Sequence, residues 1–477
     1  MSDNVRDENI IISKKEESAM MGIELVISNP NLAKIELEDI SNYIRFYKAR
    51  NNRMKNSYKR FTCVSVPIQK RKIGYTDPVS GTVISDPTKI NRKLNLDYAG
   101  YIVRTKTNFM VSRPVDISIK KRAIAKNSED QIEDLFDILE DFKIQNNWDT
   151  LLLETVESIG ACGSGAWILS MQDGEVKIDN VMPWEIIEVE YGSKYLRHYA
   201  QIDFNGIEKE YVDIYDNEYV HKYKYEGETA IYIRSEKHLF SECPVLPIKN
   251  NAEKTSDFFS VESLIDQADR VMSDLSSEVE QFRLAYLVFT GGVAPKKEEV
   301  EAFQQTGVFA IAGENGDAKF ITKEISIQDI LKLLDSIERN IFRFAETFDS
   351  TNKEYMGDLT NFSIQFKLAP MKGKAIKTKG YLKQVLYKSF KLITSVWKLS
   401  KDKDINYLDL DFNFNFNEAI NTSEEFSTII ESGGVISNET LWESSSAINP
   451  IEERRRLEQE SKNSIAVEEV YGNGEES

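Results

Sequence analysis

Residues 244–292 of the chain read PVLPIKNNAEKTSDFFSVESLIDQADRVMSDLSSEVEQFRLAYLVFTGG, and this stretch says most about the fold. It begins with an extended run that contains two prolines and an Asn-Asn turn, and then becomes amphipathic. Apolar residues then recur every three or four positions, at Leu264, Ala268, Val271, Leu275, Val279 and Phe282. This spacing predicts a helix of about 30 residues that packs through one apolar stripe and ends at Thr290-Gly291-Gly292.

A second amphipathic helix is predicted to begin at Ser326, which can cap its N-terminus. Its apolar residues are separated alternately by three and four positions: Ile327, Ile330, Leu334, Ile337, Ile341, Phe344 and Phe348. An average spacing of about 3.5 residues is typical of a seam between long packed helices. Residues 293–325, between the two helices, predict a compact α/β insert. The two helices should therefore form a hairpin that carries this insert away from the body.

The layout of this region resembles that of portal proteins from tailed double-stranded DNA phages, in particular the siphophage type of Gram-positive hosts. The residues that carry the resemblance are Pro247-Ile248-Lys249-Asn250-Asn251, Ser256-Asp257-Phe258, Leu264-Ile265-Asp266, Ser273-Asp274, Glu280 and Ala285-Tyr286-Leu287. Two C-terminal runs, Val435–Leu441 and Asn449–Glu453, resemble the C-terminal part of the same family. The resemblance covers nearly the whole chain and keeps the order of its parts.

The resemblance implies an α+β portal fold with a wing, a stem of long helices, a small α/β clip and a helical crown. The implied divisions are a flexible N-terminal arm (1–29), the wing with an antiparallel sheet (30–256), the first stem helix (257–288), the clip (289–325), the second stem helix (326–349), a channel loop (350–364), a kinked basic helix with a returning strand (365–419), the crown helices (420–466) and a disordered acidic tail (467–477).

The polar and apolar pattern of the wing predicts an α+β arrangement without reference to any family. Helices are expected over Glu36–Met54, from Tyr98, from the N-cap Ser128 and over Trp148–Gly160. Seven alternating segments follow between residues 166 and 234, separated by turns such as Asp173-Gly174 and Glu226-Gly227. Residues 408–417, LDLDFNFNFN, alternate strictly and predict one further strand. The wing should thus contain an antiparallel sheet that follows a helical layer.

Composition bounds the class of protein. No run of 18 apolar residues occurs among the 477, and the polar N-terminus lacks the apolar core of a signal peptide, so no membrane contact is expected. The three cysteines, Cys63, Cys162 and Cys243, are widely spaced and predict reduced thiols in a cytoplasmic product. Only three histidines are present, which disfavours a histidine-based catalytic or metal centre.

Charge is distributed unevenly along the chain. The net charge is −18, and 18 acidic against 6 basic residues from Lys401 onward supply −12 of it. Between Gln365 and Leu399 there are nine lysines and no acidic residue, which predicts one basic helix in an acidic protein. Two explanations remain open for this helix: a solvated outer face paired across subunits with the acidic C-terminal region, or lysines that face DNA, with different lysines able to serve each role. Lys372 and Lys379 are the candidates for DNA contact.

Two other features have both a structural and a chemical interpretation. The glycines of Gly160-Ala-Cys-Gly-Ser-Gly-Ala166 lie between a helix and a strand, the reverse order of a phosphate-binding loop, which favours a tight turn over a nucleotide site. Carboxylate pairs occur at Asp134 with Asp137, Glu140 with Asp141 and Asp409 with Asp411, and such pairs can hold Mg²⁺. Solvent-facing positions explain them without a metal. Two alternatives to a portal protein remain open. One is a Mg-dependent DNA-processing enzyme that uses these carboxylates, and the other is a capsid scaffold without DNA contact.

The resemblance implies a function in the virion. A twelve-fold ring would form the channel at one capsid vertex through which double-stranded DNA is packaged and later ejected. Its partners would be the large terminase subunit, a head-tail adaptor, and the major capsid and scaffolding proteins. The chain would assemble in the host cytoplasm, with no enzymatic activity, no catalytic residue, no metal and no cofactor.

The resemblance also suggests three sets of site residues. The channel loop supplies the DNA candidates Lys353, Tyr355 and Met356, in addition to the two lysines of the basic helix. The clip candidates, expected to face terminase and the connector, are Lys296, Lys297, Glu298, Glu299 and Glu301. The candidates for the seam between subunits are Leu264, Val271, Leu275, Val279, Phe282, Ile330, Leu334, Ile337 and Ile341.

Overall fold

Helices come first along the chain, and antiparallel sheets follow them. The computed structural model describes residues 37–78, 81–86, 89–124, 128–282, 286–290, 317–321, 327–349, 361–400, 403, 405–417, 453–454 and 456–457. The predicted N-terminal arm and acidic tail lie outside these residues, as do most of the clip, the channel loop and the crown. Among the described helices, none combines the length and the apolar character needed to cross a membrane.

The first part of the wing is helical, as the sequence predicts. Its elements are helix α1 (Leu37–Phe61), strands β1 (Gly74–Thr76) and β2 (Val83–Ser85), helix α2 (Tyr98–Val111), strand β3 (Asp116–Ile119), the single turn α3 (Lys121–Ile124), and helices α4 (Glu129–Gln145) and α5 (Trp148–Cys162). Ser128 caps α4 as predicted: its hydroxyl accepts from Gln131 N, and its own N–H donates to the Gln131 side chain.

The eight strands that follow in the described wing form two antiparallel sheets. They are β4 (Ser164–Gln172), β5 (Glu175–Val181), β6 (Ile186–Glu190), β7 (Lys194–Ile202), β8 (Glu208–Tyr215), β9 (Tyr219–Glu226), β10 (Thr229–Lys237) and β11 (Val245–Lys249). One sheet has the order β11-β4-β5 and the other β10-β9-β8-β7-β6. The prediction of seven antiparallel segments is confirmed, but not as one sheet. The two sheets are separated at a 3₁₀ turn that begins with Pro183. Proline has no backbone N–H and so cannot donate a hydrogen bond to a neighbouring strand.

Helix α1 covers one face of the five-stranded sheet. Its buried side chains Ile40, Tyr43 and Tyr47 pack in one cluster with Leu196 and Val212 of the sheet. Polar and apolar residues alternate along these strands because every second side chain lies between the sheet and α1, where it is buried.

The long-helix hairpin is shorter than its sequence pattern suggests. Helix α6 (Glu262–Phe282) ends before strand β12 (Tyr286–Thr290), which pairs with β13 (Asp317–Ile321) ahead of helix α7 (Ile327–Phe344). The predicted continuation of the first helix to residue 288 is therefore wrong. Residues 286–290, YLVFT, are β-branched or aromatic except for Leu287, and an antiparallel partner makes the strand the better state for them.

The basic helix is the central helix of the wing core. Helix α8 (Asn361–Ser400) contains Pro370 within it and begins inside the segment predicted as the channel loop, so the boundary at 364 is wrong. Its C-terminal half buries a regular apolar stripe against α4, α5 and strand β14 (Leu410–Asn413): Leu382, Leu386, Phe390, Ile393 and Trp397. Strand β14 lies within the predicted segment 408–417 and pairs with β3, a pairing that the sequence did not predict.

Candidate functional site

A buried ion pair lies where the wing meets the long helices. The Lys106 Nζ lies 2.9 Å from the carboxylate of Asp257 and donates a hydrogen bond of 2.6 Å to Asn250 Oδ1. The Asn250 amide donates in turn to Asp257 Oδ1 at 3.0 Å. The charged side chains are 2% and 0% exposed. Because an isolated buried charge is costly, each of these three side chains depends on the other two.

Helix α8 joins this cluster through Lys374 and Thr378. The Lys374 Nζ donates to the backbone oxygens of Asp257, at 2.8 Å, and Ala345, at 3.0 Å. Ala345 directly follows α7, so Lys374 supplies a cation and a donor at the C-terminus of that helix. The Thr378 hydroxyl donates to Asn250. We call the five side chains of this cluster the ionic junction: Lys106, Asn250, Asp257, Lys374 and Thr378.

Burial acts differently on the two charges of the ionic junction. It is the largest influence on Lys106 and lowers the pKa of its ammonium, although Asp257 acts in the opposite direction. Burial alone would raise the pKa of the Asp257 carboxyl, but Lys106, Lys374 and the Asn250 amide outweigh it and hold that pKa below its ordinary value. The carboxylate is therefore ionised at neutral pH. It contacts cations from two helices, Lys106 of α2 and Lys374 of α8.

The glycine-rich turn between α5 and β4 allows the chain to approach this junction. A Cβ on Gly160 would lie 2.6 Å from Asp257 Oδ2, and Gly160 O accepts a hydrogen bond from Asp257 N at 2.8 Å. Gly163 ends α5 in the left-handed conformation, with φ 81°, against the backbone of Lys254. The interpretation as a tight turn is confirmed, and close backbone approach is what the glycines provide.

Helix α6 also binds an extended segment along its length. Asp269, Ser273 and Ser277, one turn apart, accept hydrogen bonds from the backbone N–H groups of Leu96 (2.7 Å), Leu94 (2.9 Å) and Arg92 (3.0 Å), respectively. Every second N–H of the segment is thus paired with the helix. We call residues 62–97, which lead from α1 to α2, the strap.

Three ion pairs hold the strap and the end of α1 on α6. Arg60 contacts Asp266 at 2.6 Å, Arg71 contacts Asp274, and Arg92 contacts Glu280 through two nitrogens. Exposed pairs of this kind contribute little individually. Asp266, Ser273, Asp274 and Glu280 all belong to the family-like motif, so the motif residues of α6 serve to attach the strap.

Asp269 lies between α6 and the strap, and its pKa is raised above the ordinary value. Burial raises its pKa to about 6, although the hydrogen bond from Leu96 acts in the opposite direction. Its side chain is buried among α6, the strap and α2, and the residue is 1% exposed.

Replacing Asp269 by asparagine is expected to remove a pH dependence of stability. The folded pKa of about 6 exceeds the unfolded value of about 3.9, so the folded state binds the proton more tightly. The contribution of Asp269 to stability therefore falls as the pH rises from about 4 to 6 and stays low above that. Asparagine keeps the oxygen that accepts from Leu96 and carries no charge. The variant should be more stable than the parent at pH 7.5, by about 1–3 kcal/mol, and equal to it near pH 4.

Urea midpoints at these two pH values measure the effect. Asp274→Asn is the control, because it makes the same chemical change on α6 at a carboxylate that is half exposed. An Asp269→Asn variant no more stable than the parent at pH 7.5 would contradict the prediction.

Three of these residues were not recognised as site residues from sequence. Lys106 lies on α2 between Val103 and Met110, at the spacing of a buried stripe, and a lysine at such a position signals a buried partner. Lys374 was only one of nine lysines in the basic segment. Nothing in the sequence marks Asp269 as a site residue except its position three residues after Asp266.

The predicted seam residues divide into two groups. Leu334, Ile337 and Ile341 are buried within the chain's own core, in a cluster with Ile102 and Ala268. These three residues have packing partners within the chain, because α2 packs as a third helix against α6 and α7. Of the others, Leu264, Val271 and Ile330 are half-buried, Leu275 is 9% and Val279 47% exposed, and the side chain of Phe282 is outside the described residues. A role for these in subunit contact stays a prediction.

The other candidates are only partly within the described chain. Lys353, Tyr355 and Met356 lie outside it, as do Lys296, Lys297, Glu298, Glu299 and Glu301. Lys372 and Lys379 are half-buried on α8. The Lys379 Nζ lies 5.7 Å and 5.2 Å from the ring centroids of Phe414 and Phe416, and burial lowers its pKa. DNA contact by Lys372 and Lys379 stays a prediction.

At least one member of each carboxylate pair contacts a basic side chain, and for Glu140 it is Lys143. Asp134 contacts Lys403 at 2.7 Å, Asp409 contacts Arg122 at 2.8 Å, and Asp411 contacts Lys383 at 2.7 Å. Across the described residues, no group of three or more His, Cys, Asp or Glu side chains is arranged to hold a metal ion. The pairing of Lys383 with Asp411 also shows a lysine of the basic helix contacting the acidic region within one chain.

Comparison with known proteins decides the family. A family profile described as phage portal protein, SPP1 Gp6-like, matches residues 32–466. The chain belongs to this portal protein family. It is 23% identical to the portal protein of Bacillus phage SPP1 over 422 residues, which cover 82% of this chain and 80% of that protein. It is 22% identical over 295 residues to the portal protein of Clostridium phage phiCD119, covering 58% and 64% of the two chains.

A solved structure, the neck of an empty GTA particle computed with C6 symmetry, matches with a TM-score of 0.42 and 10% identity. This match covers 72% of this chain and 89% of the other.

The portal family defines the role of the chain. It is a phage portal protein and a component of the virion, and passage of DNA during packaging is the general function of its family. The family is structural rather than enzymatic, and membership implies a capsid-associated oligomeric ring. The ionic junction and the strap contacts are thus parts of a portal subunit.

Proposed function

We propose that twelve copies of this chain form a ring at one capsid vertex, with a central channel for double-stranded DNA. The observation that carries the proposal is the family match over residues 32–466, in a chain whose motif residues attach the strap to helix α6 and pair Asp257 with Lys106. A stem that transmits force between a docked motor and a capsid needs such a fixed connection.

The charge of the chain supports a conduit that does not grip DNA. Twelve subunits of −18 carry −216 in total, which repels phosphate over most of the wall. Each phosphate contact strengthens binding and would add to the barrier against translocation. Lysines in a few narrow rings are sufficient to position the duplex, and Lys353, Lys372 and Lys379 are our candidates, with Tyr355 and Met356 as sliding apolar contacts.

The partners follow from this role. The large terminase subunit would dock on the clip and hydrolyse ATP, so that this chain has no catalytic activity of its own. A head-tail adaptor would replace terminase after packaging, and the major capsid and scaffolding proteins would surround the wing during assembly in the host cytoplasm. Lys296, Lys297, Glu298, Glu299 and Glu301 are our candidates for the clip surface that meets terminase and the adaptor.

The purified full-length chain tests the ring. Negative-stain images should contain rings with a central hole, and mass photometry should give a species of twelve subunits of 54.7 kDa each. A chain that remains monomeric at all concentrations, and enters no head when supplied to a phage that lacks its portal gene, would refute the proposal.

Reversing two clip charges tests terminase docking. The variant Glu298→Lys with Glu299→Lys should still form rings but lower the yield of DNA-filled heads in a complementation assay by tenfold or more. The control reverses Asp137 and Asp141, which are exposed on α4, and should pack normally. Full heads at the parental yield with both clip charges reversed would count against docking at this surface.

A further inference from the structure

The β1–β2 hairpin of the strap is an ordered element with an apolar surface and no core of its own. Tyr75 pairs with Ile84 and Thr76 with Val83, and the backbone bonds from Asp77 N to Thr82 O and from Asp86 N to Ile73 O, both 2.9 Å, close it at each end. Yet Tyr75 is 63% exposed, Ile84 42% and Val83 37%. Within the described chain these residues belong to none of the buried hydrophobic clusters.

The hairpin is held firmly at its base. Arg71, just before β1, contacts Asp274 of α6, and its backbone oxygen accepts from the Asn91 amide at 3.2 Å. Arg92, after β2, contacts Glu280 and Ser277. Both ends of the hairpin are therefore fixed to the same long helix. An isolated two-stranded hairpin is only marginally stable in water, so an anchored one with exposed apolar residues is arranged to pack on something else.

Charge identifies the kind of partner. Residues 70–93 contain six basic and two acidic residues, a net of +4, whereas the rest of the chain carries −22. Arg71 and Arg92 are paired with carboxylates of α6, so the other four basic residues are the ones that a partner can meet. Lys70, Lys72 and Lys89 are exposed around the base of the hairpin. A basic segment with exposed apolar residues on its two strands complements an acidic protein surface, and a second copy of this chain supplies one at a fixed position in a ring.

We infer that the β1–β2 hairpin is an intersubunit arm that packs on the acidic surface of the neighbouring copy. The inference rests on the proposed ring and names one element of its interface. The contact is head-to-tail, because the hairpin of one copy meets a different surface on the next, and repeated contacts of this kind close into a ring. The strap attachment to α6 then links the arm to the stem.

Site-specific cross-linking tests the arm. Benzoyl-phenylalanine in place of Tyr75 in the full-length chain should, on irradiation of assembled rings, give covalent dimers whose cross-link joins Tyr75 to an acidic surface of another copy. The matched control places the same group at Tyr191, which is 82% exposed in the turn between β6 and β7. It should give at least tenfold fewer cross-links between copies.

Substitution supplies the second measurement. Tyr75→Ser should raise the protein concentration needed for half-assembly by tenfold or more, and should leave the melting temperature of the isolated subunit unchanged. Tyr191→Ser should leave assembly unchanged. High salt should weaken assembly of the parent, since the contact is partly ionic.

Three results would overturn the inference. They are cross-links from position 75 only to its own chain, cross-links only to DNA when DNA-filled heads are irradiated in place of rings, and parental assembly of Tyr75→Ser without cross-links between copies. If the parent chain itself forms no rings, the result contradicts the proposed function, on which the arm rests. If the parent forms rings and position 75 gives any of these three results, only the arm is wrong.

Discussion

Asp257→Ala is expected to destabilise the wing by about 3–5 kcal/mol. The substitution leaves Lys106 buried with no carboxylate, and removing one partner of a buried pair has a cost of this size. Lys374 also loses the carboxylate 3.5 Å away, although it keeps the backbone oxygens of Asp257 and Ala345. The effect is measured as the urea concentration at the midpoint of unfolding, followed by tryptophan fluorescence. Trp148, Trp167 and Trp397 report unfolding because they are buried in the adjoining core.

Two companion variants separate charge from packing. Asp274→Ala removes a half-exposed carboxylate from α6 and should cost less than about 1 kcal/mol. Adding Lys106→Met to Asp257→Ala removes the stranded ammonium and should recover part of the loss. A double variant no more stable than Asp257→Ala would mean that the buried charge is not the cause.

Phe390→Ala should be comparably severe, with a loss of about 3–5 kcal/mol. Its ring is fully buried and lies 5.2 Å from Phe412 and 5.4 Å from Phe142, between centroids, at the centre of the wing core. Alanine would leave a cavity lined by aromatic rings that cannot move into it. The same urea titration measures the change.

The same helix offers a matched control. Phe366→Ala makes the identical chemical change on α8, but Phe366 is 74% exposed, so the cost should stay within about 0.5 kcal/mol. Equal midpoints for the two variants would show that the C-terminal half of α8 is not the core helix described here.

Elements defined by local periodicity could be predicted from the sequence. The seven alternating segments of the wing are strands β4–β10, the Ser128 cap is in place, and the stripes of α6 and α7 mark real helices. Such patterns can be detected because a helix or strand repeats its buried face every few residues. The prediction failed at residues 286–290, where a distant strand, β13, decides between helix and strand.

The candidate site could be located from sequence but not explained. Asn250, Asp257, Ser273 and Glu280 belong to a family-like motif, but nothing in their positions along the chain indicates what they contact. Asp257 pairs with Lys106, 151 residues away, and Ser273 pairs with Leu94, 179 residues away. The basic helix presents the same difficulty, because nine lysines predict a charged surface, whereas the fold buries one side of that helix.

The sequence by itself indicated the family, through the resemblance of its motif residues. It also determined the α+β class and most of the order of helices and strands, since these depend on residue types and on spacings of two to four positions. Only the tertiary structure decided which charges are buried and paired, that Leu334, Ile337 and Ile341 lie in an intrachain core, and that the strap is attached to α6. The physical reason is that burial and ion pairing depend on partners brought together from distant parts of the chain, and spacing along the chain carries no information about them.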